Sequence, residues 1–409
     1  MNNTINHSRR RLLKTTAATG LGASLIPSSL FAEGAVDPKT LEIYRTKAMG
    51  CFVGAAIADA MGGPTECQHY LRIAEMFPDF QNHIRYDTPG TFFKLRPGYA
   101  LDAAAGSITD DTFIRMDLAG YLLGTDVPYD AASFAPWLLQ HADFSNWWKV
   151  AVRPLKRIEK GEVAPEEAGV DHKQGGGGGW WQPVSMLYAG DPQKASAVTT
   201  AMCKIWKAPL EEDILSSVVA GQAAAYKKGA TVDSVVQAVL DDSGELTKKL
   251  FTRAVEIAQK AKSPTELYEE LYKHCLVKSC TTDVDGPMPE RLEPEVRMEP
   301  KGYNGILFAE QQPLALAYFV YGQGDPYKTV LTGVKGGRDA DSITCNSAAW
   351  LGALSGMEVW PKKWVDVVQN ANLKRMNLLK TGNELIEKGI ANKTVRFDRM
   401  GWGDRLAAC

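Results

Sequence analysis

The 409-residue chain sets 46 Lys and Arg against 48 Asp and Glu, a formal net charge of −2, with 45% hydrophobic residues. This near balance gives no electrostatic footprint for nucleic acid or an anionic membrane, and the apolar share suffices for a large core. Seven scattered cysteines exclude a disulfide scaffold. An oxidising compartment would still permit one or two bridges, with Cys275 and Cys280 the nearest pair.

In chain order, residues 1–32 read as an export signal rather than as part of the fold. Ser8-Arg9-Arg10-Arg11-Leu12-Leu13-Lys14 is a twin-arginine pattern, an apolar run follows from Leu21 to Ile26, and Phe31-Ala32 supplies a small-residue cleavage region. That run is too short and too rich in Gly and Ser to span a membrane, and no later stretch is long and apolar enough. The expected location is the periplasm or beyond, with no membrane contact after cleavage. Export of folded protein by this route suits an enzyme loaded with its cofactor beforehand.

A first helix is predicted over about 40–61, where Gly50, Gly54, Ala58 and Gly62 recur every four residues. The spacing lines small residues along one stripe, so another helix can lie close. Gly62-Gly63-Pro64 ends it. A second helix, capped by Thr109, is expected from about Asp110 to Leu123, stopping at Gly124. Others are expected near 130–150, 195–206, 210–228, 231–241, 246–261, 264–275, 306–321 and 364–388. One more, capped by Asp341 or Ser342, should run to Gly356. Long loops are expected at 78–108, 152–183 and 278–304, lengths that often serve as lids or binding walls. Strand-like alternation is scarce. Length alone would suggest two or three domains, but the pattern favours one compact all-α domain over 38–395 with a short tail, 396–409.

Two acidic clusters stand about 230 residues apart: Thr109-Asp110-Asp111-Thr112 and Asp339-Ala340-Asp341-Ser342, the latter reached through Gly336-Gly337-Arg338. An acid pair at one helix start is usually a cap. Two of the same chemistry at two helix starts, one beside a Gly-Gly step that permits close backbone approach, point to a shared site. Only oxygen ligands are on offer, which suits Mg²⁺ or Mn²⁺ rather than Zn²⁺. Four carboxylates at one point would repel unless roughly two divalent ions neutralised them.

These residues resemble a known family. Gly50-x-x-x-Gly54-x-Ala56-x-Ala58-Asp59-Ala60-x-Gly62-x-Pro64-x-Glu66 resembles the opening signature of the ADP-ribosylglycohydrolase family. Thr109-Asp110-Asp111-Thr112 is similar to its first metal motif. Gly336-Gly337-x-Asp339-x-Asp341-Ser342, with Trp350-Leu351-Gly352-Ala353 and Pro361-x-x-Trp364 following, is similar to its last. The resemblance implies an orthogonal all-helical fold around two Mg²⁺ or Mn²⁺ ions held by Thr109, Asp110, Asp111, Asp339, Asp341 and Ser342. It also implies hydrolysis at ribose C1″ of an ADP-ribosyl group on a protein or small molecule. The general base would be Glu66 or a metal-bound aspartate such as Asp111 or Asp339. Asp59 is expected to anchor backbone amides of a neighbouring loop, and His69 to lie exposed.

Many family members carry an Asn-Gly stretch and an Arg before the proline that here is Pro183. This chain has Gly175 to Gly179 and then Trp180-Trp181. The amides of Gly176, Gly177 and Gly178 offer an anion cradle for a diphosphate, and Trp180 and Trp181 offer stacking faces for a base or sugar. The bland alternative is a flexible segment ending on two packed tryptophans. Two other functional readings stand beside the first: a glycoside or nucleoside-type hydrolase on the same metals, and a non-catalytic ADP-ribose-binding relative. A monomer is expected.

Overall fold

The structure is a computed structural model that describes residues 36–91, 102–126, 128–170, 178–277, 288 and 308–401. Its frame is the first helix, Pro38–Gly62. Asp37 caps it, accepting from the Thr40 N–H at 2.9 Å, and Pro38 stands at its first turn, where a missing N–H costs nothing. From Ala48 to Gly62 every residue is buried, so the helix is central rather than amphipathic.

Its closest partner is the helix Ala340–Ser355, buried from Ala340 to Ala353. Both carry glycine where the backbones meet. A Cβ on Gly352 would strike the Gly50 carbonyl and lie 2.6 Å from Cys51 N, and one on Gly50 would lie 2.5 Å from the Gly356 carbonyl carbon. Gly54 makes room for the Trp360 indole, whose Nε1 donates to the Gly50 carbonyl at 2.8 Å. The predicted small-residue stripe is therefore the seam of the fold. Gly352→Ala meets backbone that cannot swing aside, and should lower unfolding free energy by about 1–3 kcal/mol in urea titration. An unchanged midpoint would contradict this seam.

The remaining helices surround this pair, and residues from Asp37 onward form one compact unit. Among the described residues the only sheet is the antiparallel pair Gln68–His69 and Gly337–Arg338, with Gln68 opposite Arg338 and His69 opposite Gly337. No described helix is long and apolar enough to cross a membrane.

Some element boundaries differ from expectation. The helix expected at 130–150 is Ala131–His141, then a 3₁₀ turn Phe144–Asn146 and a helix Lys149–Glu159 that fills the start of the expected 152–183 loop. Asp143 causes the break by accepting the Ser145 N–H at 3.1 Å. The 364–388 helix is two, Lys362–Asn372 and Leu378–Ala391, the second capped by Asn377. Pro326–Gly336 was not expected, although Asp325-Pro326 is a readable start: Asp325 accepts the Lys328 N–H at 2.9 Å. Tyr70–Met76, Gln182–Leu187 and Phe397–Met400 also add short helices, the last within the expected tail. The loop expected at 278–304 lies outside the described residues except Met288. Cys51, Cys203, Cys275 and Cys345 are buried thiols outside any disulfide.

Candidate active site: an acidic basin between two helix starts

Thr109 is the N-cap of the helix Asp110–Gly124, its Oγ1 accepting the Asp111 N–H at 3.2 Å. Asp110 and Asp111 fall in the first turn, where the helix dipole favours carboxylates. Asp59, on the first helix, holds this turn from behind. Its carboxylate accepts the N–H of Thr109 at 3.1 Å, the N–H of Thr112 at 3.2 Å, and both threonine hydroxyls. Asp59 is thus an anchor for the turn, as its place in the first motif suggested. Arg115, fully buried, donates to the Gln182 side chain at 2.8 Å, to Thr112 Oγ1 at 3.2 Å and to the Gly179 carbonyl at 2.9 Å.

The second start is built by the two-residue ladder. Cys67, Gly337 and Arg338 all have positive φ (59°, 70° and 63°), and the Cys67 N–H donates to the Arg338 carbonyl at 2.7 Å. Two non-glycine residues in this region mark stored backbone strain beside the acids they flank, Glu66 and Asp339. Because the chain turns at Gly337, Asp339 and not Asp341 or Ser342 takes the N-cap position, and the helix begins at Ala340. Asp341 and Ser342 then lie in the first turn.

Behind this start sit three consecutive residues of the helix Phe308–Gly322. Glu310 pairs with Arg338 at 2.7 and 3.1 Å, Gln311 donates to Asp339 Oδ2, and Gln312 accepts from Asn346 at 2.8 Å. Asn346 Nδ2 also donates to the Gly178 carbonyl at 2.8 Å, and its Oδ1 accepts from Gln182 and Gln222 at 3.1 Å each. Buried amides therefore clamp the carbonyl of Gly178 as Arg115 clamps that of Gly179.

The two starts meet. Ser342 Oγ donates to Asp111 Oδ2 at 2.6 Å across 231 residues. Glu66, Asp339 and Asp341 each bring a carboxylate oxygen within 4.8 Å of the others. Gly62 permits this approach, since a Cβ there would lie 2.6 Å from Asp341 Cα. Asp111 Oδ1 and Asp341 Oδ1 are buried without any hydrogen-bond partner. Burial, then the neighbouring carboxylates, raises Asp111 and Asp341 well above the usual carboxylate range, and burial pushes Asp339 up to about 7. Clustered carboxylates with orphaned oxygens fit hard divalent cations, although the Cys67 thiol lies 3.7 Å from Glu66 Oε1.

Of the residues expected to act here, Asp111, Asp339, Asp341, Ser342 and Glu66 come together, and Asp110 lies close enough to raise Asp111 and Asp339. Thr109 is fully buried, with its hydroxyl proton committed to Asp59 Oδ1 at 2.5 Å. Gly176 and Gly177 lie outside the described residues. Gly178 and Gly179 reach the basin: a Cβ on Gly179 would lie 2.5 Å from Asp111 Oδ1. The stacking expectation for Trp180 and Trp181 is corrected. They are 1% and 0% exposed and pack edge-on against Trp206 at 5.9 and 6.5 Å, so their faces belong to the core. His69 is likewise buried rather than exposed, and its Nδ1 caps Tyr70–Met76 by accepting the Leu71 N–H at 3.2 Å. Sequence reasoning missed Arg115, Glu310, Gln311, Asn346 and Lys207. Lys207 is a buried cation pushed down to about 8 by burial, with Glu211, Asp111 and Asp339 among the charges that act on it.

A family model described as ADP-ribosylglycohydrolase matches residues 40–394, a span that holds every motif of this basin. The chain belongs to the ADP-ribosylglycohydrolase family. Its members are hydrolases. A solved structure described as an ADP-ribosylglycohydrolase-related protein complex is similar to this chain at 16% identity and a TM-score of 0.53. The match covers 85% of this chain and 99% of that one. At that identity the likeness speaks for the ADP-ribosylglycohydrolase fold. Comparison with curated proteins gives no match.

Proposed function

We propose that this ADP-ribosylglycohydrolase is an exported, divalent-cation-dependent hydrolase that cleaves the bond joining ribose C1″ of an ADP-ribosyl group to a nitrogen or oxygen. The carrying observation is the meeting of the two acidic helix starts, with Asp111 Oδ1 and Asp341 Oδ1 buried and unmatched. Asp111, Asp339 and Asp341 would hold a pair of Mg²⁺ or Mn²⁺ ions, with Thr109, Asp110 and Ser342 completing the oxygen set and Glu66 beside them. Bound there, the ions would supply Lewis acidity and fix ribose hydroxyls.

The protein's own groups do the rest. Glu66 is half-buried at the mouth of the basin, where a carboxylate can take a proton from the attacking water. The water oxygen bonds to C1″ as the C1″–acceptor bond breaks; one water proton passes to Glu66, which then returns it to the departing nitrogen or oxygen. The carboxylates stabilise the positive charge that grows on the ring. The carbonyls of Gly178 and Gly179 are held by Asn346 and Arg115, which fixes Gly179 beside Asp111. The twin-arginine segment would deliver the folded, loaded enzyme to the periplasm.

The test is release of ADP-ribose from ADP-ribosylated arginine and serine by protein purified from a periplasmic fraction, whose mass should begin after Ala32. Turnover should require Mg²⁺ or Mn²⁺ and stop with EDTA. A metal-loaded protein that releases ADP-ribose from neither substrate would refute the proposal.

A further inference from the structure

The Gly62-Gly63 step makes room on two sides. On one lies the Asp341 backbone. On the other lies Tyr86: a Cβ on Gly63 would collide with the Tyr86 hydroxyl and lie 2.7 Å from Thr109 Cγ2. Tyr86 belongs to the segment after Tyr70–Met76, and its backbone is fixed at both ends. Its N–H donates to the Ala103 carbonyl at 3.1 Å, and its own carbonyl accepts from Thr91 Oγ1. The ring is fully buried.

The hydroxyl, however, has no hydrogen-bond partner. It lies against the Gly62-Gly63 step beside Thr109, and Asp59, Asp341, Glu66 and Asp110 are the charges that act on it. The Asp59 oxygens are already taken by Thr109 and Thr112. A buried hydroxyl left unpaired destabilises the fold, and a phenylalanine would fill the same space without that cost. Burial first, then the four carboxylates, holds the phenol well above its ordinary pKa. It keeps its proton at neutral pH and is a donor.

We propose that Tyr86 is a substrate-binding residue of the basin, its hydroxyl donating a hydrogen bond to a hydroxyl oxygen of the ribosyl group that enters there. The inference rests on the proposed function above, which supplies a polyhydroxylated ligand. It does not depend on which acceptor group leaves.

The test is titration of free ADP-ribose into the full-length protein and Tyr86→Phe, each saturated with Mg²⁺, followed by calorimetry. The variant should bind about five- to twelvefold more weakly, the loss expected for one hydrogen bond. Its metal-free melting temperature should be equal or higher, because no intramolecular bond is lost. Equal affinity would overturn the inference, and so would a weaker affinity accompanied by a lower metal-free melting temperature, which would make the hydroxyl structural. Wild-type protein that binds no ADP-ribose would instead refute the proposed function, and Tyr86's assignment with it.

Discussion

Asp341→Ala is expected to lower kcat/KM by about 10³-fold or more, roughly 4 kcal/mol at the transition state, while making the metal-free protein harder to unfold at pH 8. The two effects share one cause. Asp341 is buried with Oδ1 unmatched, among carboxylates of Glu66, Asp339 and Asp111. Without a cation, its ionised form is repelled by those neighbours and poorly solvated. With one, the same charge is a ligand.

The pH dependence follows from linkage. A carboxylate whose folded pKa is raised lends stability below its unfolded value and loses it as pH rises through the folded value. For Asp339 that window runs from its ordinary 3.8 to about 7, and Asp111 and Asp341 act in the same sense. Lys207 is depressed, so its stabilising share is present above 10.5 and lost as pH falls through about 8, outside this window. Metal-free wild type should therefore melt at a lower temperature at pH 8 than at pH 5, and Mg²⁺ should restore it because cations replace protons. In Asp341→Ala the fall should shrink and the rescue vanish. Thermal melts with EDTA or Mg²⁺, alongside metal analysis, decide it; a variant that retains metal and rate would refute the ligand assignment.

Glu310→Ala is expected to cost about 3–5 kcal/mol of stability, the largest loss of any single truncation in the polar support of the basin. Both members of its pair with Arg338 are buried, at 0% and 2% exposure, and removal leaves a guanidinium without its carboxylate. Glu310 Oε2 also accepts the Val277 N–H at 3.1 Å, which would be orphaned too. Activity should fall with stability, since Arg338 adjoins Asp339 in the strained turn. The double change Glu310→Leu with Arg338→Met should recover much of the stability without recovering the rate, because an apolar pair fills the space but does not hold the turn. Urea unfolding of both variants measures the outcome. A Glu310→Ala midpoint equal to wild type would show that the pair carries no net stability.

Much of the frame was readable because its signals are local. Every fourth residue small in the first helix and Thr109 before two acids each specify structure within a few residues of themselves, whereas the equally local Asp325-Pro326 start was overlooked. Asp111 and Asp341 were readable as chemistry because acids in a first turn followed by an apolar run rarely have two such copies without a shared purpose. Their support was not. Glu310-Gln311-Gln312 looks like a solvated helix start, and only the tertiary meeting with Arg338, Asp339 and Asn346 gives those side chains their roles. Tyr86 carries no motif, since its meaning comes from a gap at Gly63. A two-residue ladder is too short to show alternation, so the shift of the second cap to Asp339 was hidden as well. Trp180 and Trp181 misled because a paired aromatic after glycines reads alike whether its faces are open or covered.

That ladder has a mechanical corollary. Glu66 and Asp339 leave its same end, one from each strand, so the proposed proton acceptor and a proposed metal ligand are fastened by the same few rungs. Neither segment can swing without dragging the other. Movement of the ladder as a unit would carry both acids together and keep the spacing between them.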